Sequence, residues 1–307
     1  MYKVFVDGSA GTTGLKIVDR LKDRQDISLI TIPEEQRKDL QARKQAINSA
    51  DVVFLCLPDD AARESVSLIE NPNVKVIDTS TAHRTADGWE YGFAELSGRK
   101  EKIANSKRIA NPGCHASGFI ALIEPLVKAG VIDKDQKLTC FSLTGYTGGG
   151  KKMIAEYESQ DILESYKAPR QYGLGQEHKH LPEMKKITGL TVSPIFCPIV
   201  ANFPTGMEVT VPLFASQVNG GIEAVKDVYK KVYDGKIVYY KENADESGFL
   251  SANTMSGKDS MEISVFGNQE RFTLVARFDN LGKGASGAAI QNMNVLLGVD
   301  QTKGLEL

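Results

Sequence analysis

The chain has 307 residues, 41% hydrophobic and 25% charged, with 37 basic against 39 acidic side chains and a formal net charge of −2. That length exceeds one usual core and suggests two domains of roughly 100–200 residues each, with enough apolar content to exclude disorder. The mixture of charges excludes an electrostatic footprint for nucleic acid, and no run of about eighteen apolar residues offers a membrane span or signal peptide, so a cytoplasmic protein is expected.

Residues 2–6 carry β-branched and aromatic side chains and predict a strand. Asp7-Gly8-Ser9-Ala10-Gly11-Thr12-Thr13-Gly14 follows, and Leu15, Ile17, Val18 and Leu21 then recur at helical spacing. A glycine loop between strand and helix is where a pyrophosphate meets free N–H groups, which makes Gly8, Ser9, Gly11, Thr12, Thr13 and Gly14 candidate dinucleotide contacts. The spacing is G-x-x-G-x-x-G rather than the commoner G-x-G-x-x-G, so its place after the first strand carries the reading.

Further strands are predicted at 27–32, 51–57 and 74–77, with a helical stretch between the second and third and another helix near 61–69. Strands alternating with helices imply a parallel, doubly wound, Rossmann-like sheet with right-handed crossovers. At the end of the second strand Glu34 is placed to hold a ribose, whereas Arg37 and Lys38 are placed to meet a 2′-phosphate. The two cations favour NADP(H) as cofactor.

Next comes Asn111-Pro112-Gly113-Cys114-His115, a polar turn running into an apolar helix with Ala116, Phe119, Ile120, Ile123, Leu126 and Val127 on one face and Gly130 as its stop. A helix N-terminus favours thiolate over thiol, which makes Cys114 a candidate nucleophile; a small core residue is the competing reading. The other cysteines, Cys56, Cys140 and Cys197, sit in apolar runs at 52–57, 138–143 and 192–200 and read as core, and no close cysteine pairs suggest a metal or disulfide scaffold.

Beyond that helix, β-rich runs at 137–144, 190–200, 208–213, 237–240, 260–266 and 271–279 surround a helix near 221–232. They predict an α+β domain with a largely antiparallel sheet. A tail of small residues from Gly284 continues as an amphipathic helix and is expected to return to the first domain. The expected division is 1–113 with 286–307 for the dinucleotide domain, and 114–285 for the catalytic one.

Three more stretches carry chemistry. In Glu177-His178-Lys179-His180-Leu181-Pro182-Glu183 either histidine suits a proton carrier, with Glu183 or Glu177 fixing its tautomer; two histidines on a surface strand face are the alternative. Thr144-Gly145-Tyr146-Thr147-Gly148-Gly149-Gly150-Lys151-Lys152 pairs exposed N–H groups with ammonium, making Gly148 and Lys151 candidates for an anion cradle, against the alternative of a flexible hairpin. Asp78-Thr79-Ser80-Thr81-Ala82-His83-Arg84 follows a strand of the parallel sheet, so Arg84 can fork an anionic substrate or simply pair with Asp78.

Taken together, these residues resemble the short form of N-acetyl-gamma-glutamyl-phosphate reductase, a family of the semialdehyde dehydrogenase superfamily. The likeness rests on the glycine loop, Asp-x-Ser-x-x-x-Arg at 78–84, Asn-Pro-Gly-Cys at 111–114, His-x-His-x-Pro-Glu at 178–183 and Gly-Ala-Ser-Gly-x-Ala-x-Gln-Asn at 284–292. It implies NADPH-dependent reduction of N-acetyl-L-glutamyl 5-phosphate to the 5-semialdehyde, with release of phosphate, in arginine biosynthesis. Cys114 then matches the catalytic cysteine and His178 or His180 the acid/base, while Ser80, Gly284, Ser286, Gly287 and Asn292 fall to the cofactor and Arg84 and Asn111 to the substrate. No metal is implied, and a homo-oligomer, dimer or tetramer, is expected.

Other readings are an aspartyl-phosphate or N-acyl aminoadipyl-phosphate reductase, a catalytically silent NADP-binding regulator, and, more distantly, a zinc hydrolase using His178 and His180.

Overall fold

In a computed structural model describing residues 1–307, the chain divides into two compact units. The first comprises Met1–Ala94, Gly98–Pro112 and Ala285–Leu305, and the second Glu95–Ser97, Gly113–Gly284 and Glu306–Leu307.

The first unit runs β1 (Tyr2–Asp7), α1 (Thr12–Leu21), β2 (Ile27–Ile30), α2 (Leu40–Ser49), β3 (Val52–Leu55), α3 (Asp59–Ser67), β4 (Lys75–Asp78), β5 (Glu90–Tyr91), α4 (Arg99–Ala104) and β6 (Arg108–Ala110). Its six strands stand in the order β2-β1-β3-β4-β6-β5, every neighbouring pair parallel. The order reverses between β1 and β3, and there the loops after two strands diverge and leave a crevice at their carboxyl ends. Strands buried on both faces must be apolar throughout, as Val52–Leu55 is. The β5–α4–β6 segment carries no clear apolar period, which is why the sequence did not disclose it.

Local chemistry sets the helix starts. The Asp39 carboxylate accepts the Ala42 amide at 2.8 Å and caps α2. At α1 the cap position is Gly11, with no side-chain hydrogen bond, so its first-turn amides stay open to a ligand.

In the second unit α5 (Cys114–Lys128), β7 (Thr139–Gly145), α6 (Gly150–Tyr157), β8 (Arg170–Gln171), α7 (Leu181–Thr188), β9 (Ile195–Ala201), β10 (Met207–Phe214), α8 (Gly221–Val232), β11 (Val238–Tyr240), β12 (Met261–Gly267) and β13 (Arg271–Phe278) follow in turn. The seven strands are ordered β11-β12-β13-β10-β7-β9-β8. The β11–β12 and β7–β9 pairs are parallel and the rest antiparallel, so the sheet is mixed rather than largely antiparallel. The strand expected from residue 190 begins only at Ile195: Gly189, at φ 79°, closes α7, and the chain then bends at 191–192, where the Thr191 amide donates to Lys134 O at 2.9 Å instead of joining a ladder.

Every residue of α5 from His115 to Ile123 is buried, which suits a helix apolar on nearly all sides. Pro125 lies inside it and cannot supply the N–H that the Ala121 carbonyl would accept. The Tyr233 hydroxyl fills that gap, donating to Ala121 O at 2.7 Å, and Tyr229 donates to Leu122 O at 2.5 Å. Buried carbonyls are thereby satisfied, and the helix that begins at the thiol stays seated.

After a π-turn at Gly282–Ser286, α9 (Gly287–Leu297) enters the core of the first unit, where Ala289, Ile290 and Met293 meet Val4, Phe54 and Ile77. Arg24 ties it further, donating to Asn294 Oδ1 at 2.7 Å. None of the helices is long and apolar enough to cross a membrane.

Candidate active site

Cys114 is the first residue of α5 and half-buried, unlike its fully buried helical neighbours. Cys140 is buried and its thiol pKa is raised by burial. Cys56 and Cys197 are only partly buried, which corrects the expectation of plain core residues. Cys56 lines the first unit's crevice, and burial of its sulfur, with Asp78 and Asp7 adding to it, pushes the thiol up to about 12, so it remains protonated.

His178 and His180 lie in the turn that leads into α7, not on a strand face. His178 is half-buried and His180 buried, their rings 4.7 Å apart and nearly perpendicular. Glu183, in the first turn of α7, is 1% exposed; one carboxylate oxygen accepts the Gly113 amide at 3.1 Å and the other lies 3.9 Å from His180 Nε2. The acid is thus shared between an imidazole and the turn that delivers the thiol.

A third histidine joins them, one the sequence reading passed over as part of the helix. His115 is 5.8 Å from His178 and 5.6 Å from His180, ring to ring. Its Nδ1 meets Ser142 Oγ and its Nε2 meets the Tyr172 hydroxyl, both at 2.6 Å. Burial, with His178 nearby, lowers the His115 pKa to about 3, so the ring is neutral at physiological pH. Tyr172 is raised above its ordinary value by burial and by Cys114. The signal available in the sequence for His115 was its place directly after Cys114 in a chain with only four histidines; nothing pointed to Tyr172 or Ser142.

The remaining candidates divide between the units. In the second unit Gly284, assigned above to the cofactor, lies where an added Cβ would come 3.1 Å from Cys114 Cβ, so it leaves room beside the thiol. The segment from Tyr146 is a 3-10 turn leading into α6, not a hairpin. Gly148 is exposed in that turn, and Lys151 is exposed in the first turn of α6.

In the first unit a cavity of about 690 Å³ opens at the β1/β3 switch point, lined by Asp7, Gly8, Ser9, Gly11, Arg37 and Lys38 among others. Gly8 has φ +86°, and a Cβ on Gly14 would meet Gly8 O at 2.4 Å, so only glycine lets α1 start against the loop. Thr12 and Thr13 open α1, while Glu34 sits in a 3-10 turn and pairs with Arg37 at 3.2 Å. These residues fit a dinucleotide: a crowded glycine turn, uncapped helix amides and two exposed cations at the rim. Beneath them lies a network the sequence did not reveal. Buried Arg43 donates to Asp7 Oδ2 at 3.1 Å and to Glu64 Oε2 at 2.7 Å, fixing the end of β1 to α3.

Asp78 does not wait for Arg84. Its carboxylate accepts the Ser80 amide and hydroxyl and meets His83 Nδ1 at 2.6 Å. Arg84 donates to Asn111 O and Thr79 O, each at 3.0 Å. Asn111 is buried, donating to Ala285 O at 3.0 Å. Asn292 is also buried and spends its amide on Gly92 O and Asn111 Oδ1, leaving only its own Oδ1 unpaired. Ser286 and Gly287 are buried at the start of α9.

The semialdehyde dehydrogenase dimerisation domain matches residues 114–280, and the semialdehyde dehydrogenase NAD binding domain matches residues 31–106. The chain is 45% identical over 306 residues to the N-acetyl-gamma-glutamyl-phosphate reductase of Brucella ovis, covering 96% of this chain and 99% of that one. The chain belongs to the N-acetyl-gamma-glutamyl-phosphate reductase family of semialdehyde dehydrogenases. N-acetyl-gamma-glutamyl-phosphate reductase 2 of Nostoc sp. is 43% identical, with 99% of each chain covered. Among solved structures, aspartate semialdehyde dehydrogenase from Francisella tularensis shares the fold at a TM-score of 0.73 and 15% identity, covering 97% of this chain and 100% of that one. The enzyme from Candida albicans, solved with NADP, does so at 0.70 and 17%, covering 97% and 98%.

Proposed function

We propose that this chain is an NADPH-dependent reductase that converts N-acetyl-L-glutamyl 5-phosphate to N-acetyl-L-glutamate 5-semialdehyde and phosphate through a thioester on Cys114, in arginine biosynthesis. The observation that carries the reading is the half-buried thiol at the first residue of α5, on a turn held by Glu183, with Glu183 also beside His180. Identity of 45% to proteins named for this reaction supports the choice of substrate over aspartyl phosphate, whose enzymes share the fold at 15–17%.

The thiol proton passes to His178 or His180, and the thiolate sulfur attacks the acyl carbon. The carbon–oxygen bond to phosphate breaks, the leaving phosphate oxygen takes the proton from the histidine, phosphate departs and the thioester remains. NADPH, when bound, supplies a hydride. The acyl carbon gains that electron pair as a thiohemiacetal, and collapse breaks the carbon–sulfur bond, returning thiolate and releasing aldehyde. Amides of the α5 first turn suit the oxyanion that forms at each addition, a contribution of about 3–4 kcal/mol in comparable sites.

For the cofactor, the glycine loop with Gly8, Ser9, Gly11, Thr12, Thr13 and Gly14 would hold the pyrophosphate, and Arg37 and Lys38 the 2′-phosphate; Ser80, Ser286, Gly287 and Asn292 are the further candidates in that unit. Arg84, Asn111, Gly148 and Lys151 are the candidates for the anionic substrate. A homo-oligomer fits the exposed Phe141, Ile195 and Phe214, which fall on one face of the mixed sheet by their alternation and register.

The test is phosphate-dependent reduction of NADP with N-acetylglutamate, aspartate and N-acyl aminoadipate semialdehydes, with mass spectrometry of Cys114 after exposure to the acyl phosphate. Preferred turnover of aspartate semialdehyde would reject the substrate, and NADPH binding with no acyl adduct would point to a silent regulator.

A further inference from the structure

We propose that His115 is a positioning residue that holds the Tyr172 hydroxyl as an oriented hydrogen-bond donor for the thiol site, rather than an acid/base or a packing side chain. The inference deepens the reductase reading and rests on it. A neutral imidazole donates through one ring nitrogen and accepts through the other, and His115 has a hydroxyl 2.6 Å from each. The chain of hydrogen bonds can therefore run in only one direction at a time. Ser142 is fully buried in β7 with His115 Nδ1 as its hydrogen-bond partner, so the serine hydroxyl donates to Nδ1 and Nε2–H donates to the Tyr172 oxygen. Tyr172 then directs its own proton away from His115.

Two groups of the thiol site lie close to that phenol. His115 succeeds Cys114 directly, and the Tyr172 ring stands 5.9 Å from that of His178. The influence of Cys114 on the phenol agrees with their closeness. A phenol O–H aimed there stabilises negative charge on sulfur, as charge-assisted hydrogen bonds do. His178 and His180 edge the same ring of His115, with Phe196 5.4 Å away, so proton traffic is left to the 178/180 pair while the third imidazole remains uncharged.

The experiment compares His115→Phe, His115→Gln, Tyr172→Phe and the His115→Phe/Tyr172→Phe double variant. Two readouts are taken: steady-state turnover of N-acetylglutamate semialdehyde with NADP and phosphate, and the pH profile of Cys114 alkylation by iodoacetamide, followed on its peptide by mass spectrometry. Each Phe variant should lower kcat about ten-fold with KM little changed, and the double variant should be no worse than either. Both should move the alkylation profile to higher pH by the same amount. Multiplying losses in the double variant, or a Tyr172→Phe enzyme with wild-type kcat and alkylation, would overturn the assignment. Should His115→Phe fail to fold, His115→Gln, Tyr172→Phe and their double variant complete the same cycle, with the same outcomes expected. A wild-type protein that ignores this semialdehyde would defeat the functional reading alone, since the alkylation cycle still decides the role of His115.

Discussion

Glu183 Oε2 accepts the amide of Gly113 at 3.1 Å, although 70 positions separate the two residues. This one bond joins the first turn of α7 to the residue before the thiol, so the carboxylate that neighbours His180 also sets where α5 begins. Glu183→Gln keeps an acceptor for Gly113 but removes the charge beside His180. It should cut kcat at least ten-fold with little loss of stability, whereas Glu183→Ala strands a buried amide and should cost about 1–3 kcal/mol. Thermal melts alongside kcat measurements separate the two, and equal stability losses would refute the division of roles.

Cys114→Ser should abolish reduction while NADPH still binds, because a serine hydroxyl is scarcely ionised at neutral pH and the glycine loop belongs to the other unit. Fluorescence titration with NADPH and a turnover assay check this; residual turnover near wild type would contradict the covalent route.

Replacing Arg37 and Lys38 by Ala should weaken NADPH binding at least ten-fold more than NADH binding, since both line the cavity at the glycine loop and only NADPH carries the extra phosphate. Equal weakening of the two would remove the 2′-phosphate assignment.

Gly14→Ala places a methyl 2.4 Å from Gly8 O, a backbone atom that cannot swing aside. The loop must shift, at a cost of about 1–3 kcal/mol in stability and a clear loss of dinucleotide affinity. Unchanged melting and NADPH affinity would show that α1 does not depend on this close approach.

His115, with a folded pKa near 3 against an ordinary 6.5, binds its proton more readily in the unfolded chain. Its contribution is fully present above pH 6.5 and is lost as pH falls from there toward 3, at a limiting slope of about 1.4 kcal/mol per pH unit. His178, His180, Tyr172 and Ser142 face it, and of these His178 adds to the effect by opposing a second charge. Denaturant melts at pH 7.5 and 5 should show a smaller acid loss in His115→Phe than in wild type; parallel losses would show that other groups govern the limb.

The parts of the site that can be read along the chain are those whose physics is local. A strand, a glycine turn and a helix at residues 2–21, or a cysteine at a helix start, advertise themselves by period and residue type. His178, His180 and Glu183 are recognisable as a group along the chain, yet two histidines flanking one lysine fit a strand face as well as a turn before a helix, so their secondary structure stays open until the fold is seen. The glycine run at 148–150 leaves a similar choice open, since glycine permits a hairpin as readily as a turn into a helix; what selects the helix is Met153, Ile154 and Tyr157 packing into a small cluster with Tyr146 and Val200.

By itself the sequence determined the parallel β/α beginning, the thiol at the head of an apolar helix and the resemblance that named a chemistry, since propensity, spacing and motif order are properties of neighbouring residues. Only the tertiary structure decided the two parallel pairings in the second sheet, the Arg43 bridge between Asp7 and Glu64, and the meeting of His115 with Ser142 and Tyr172. Each of those joins residues 21 or more positions apart, and such pairings are set by which faces a fold buries together, a choice no local window of the chain records.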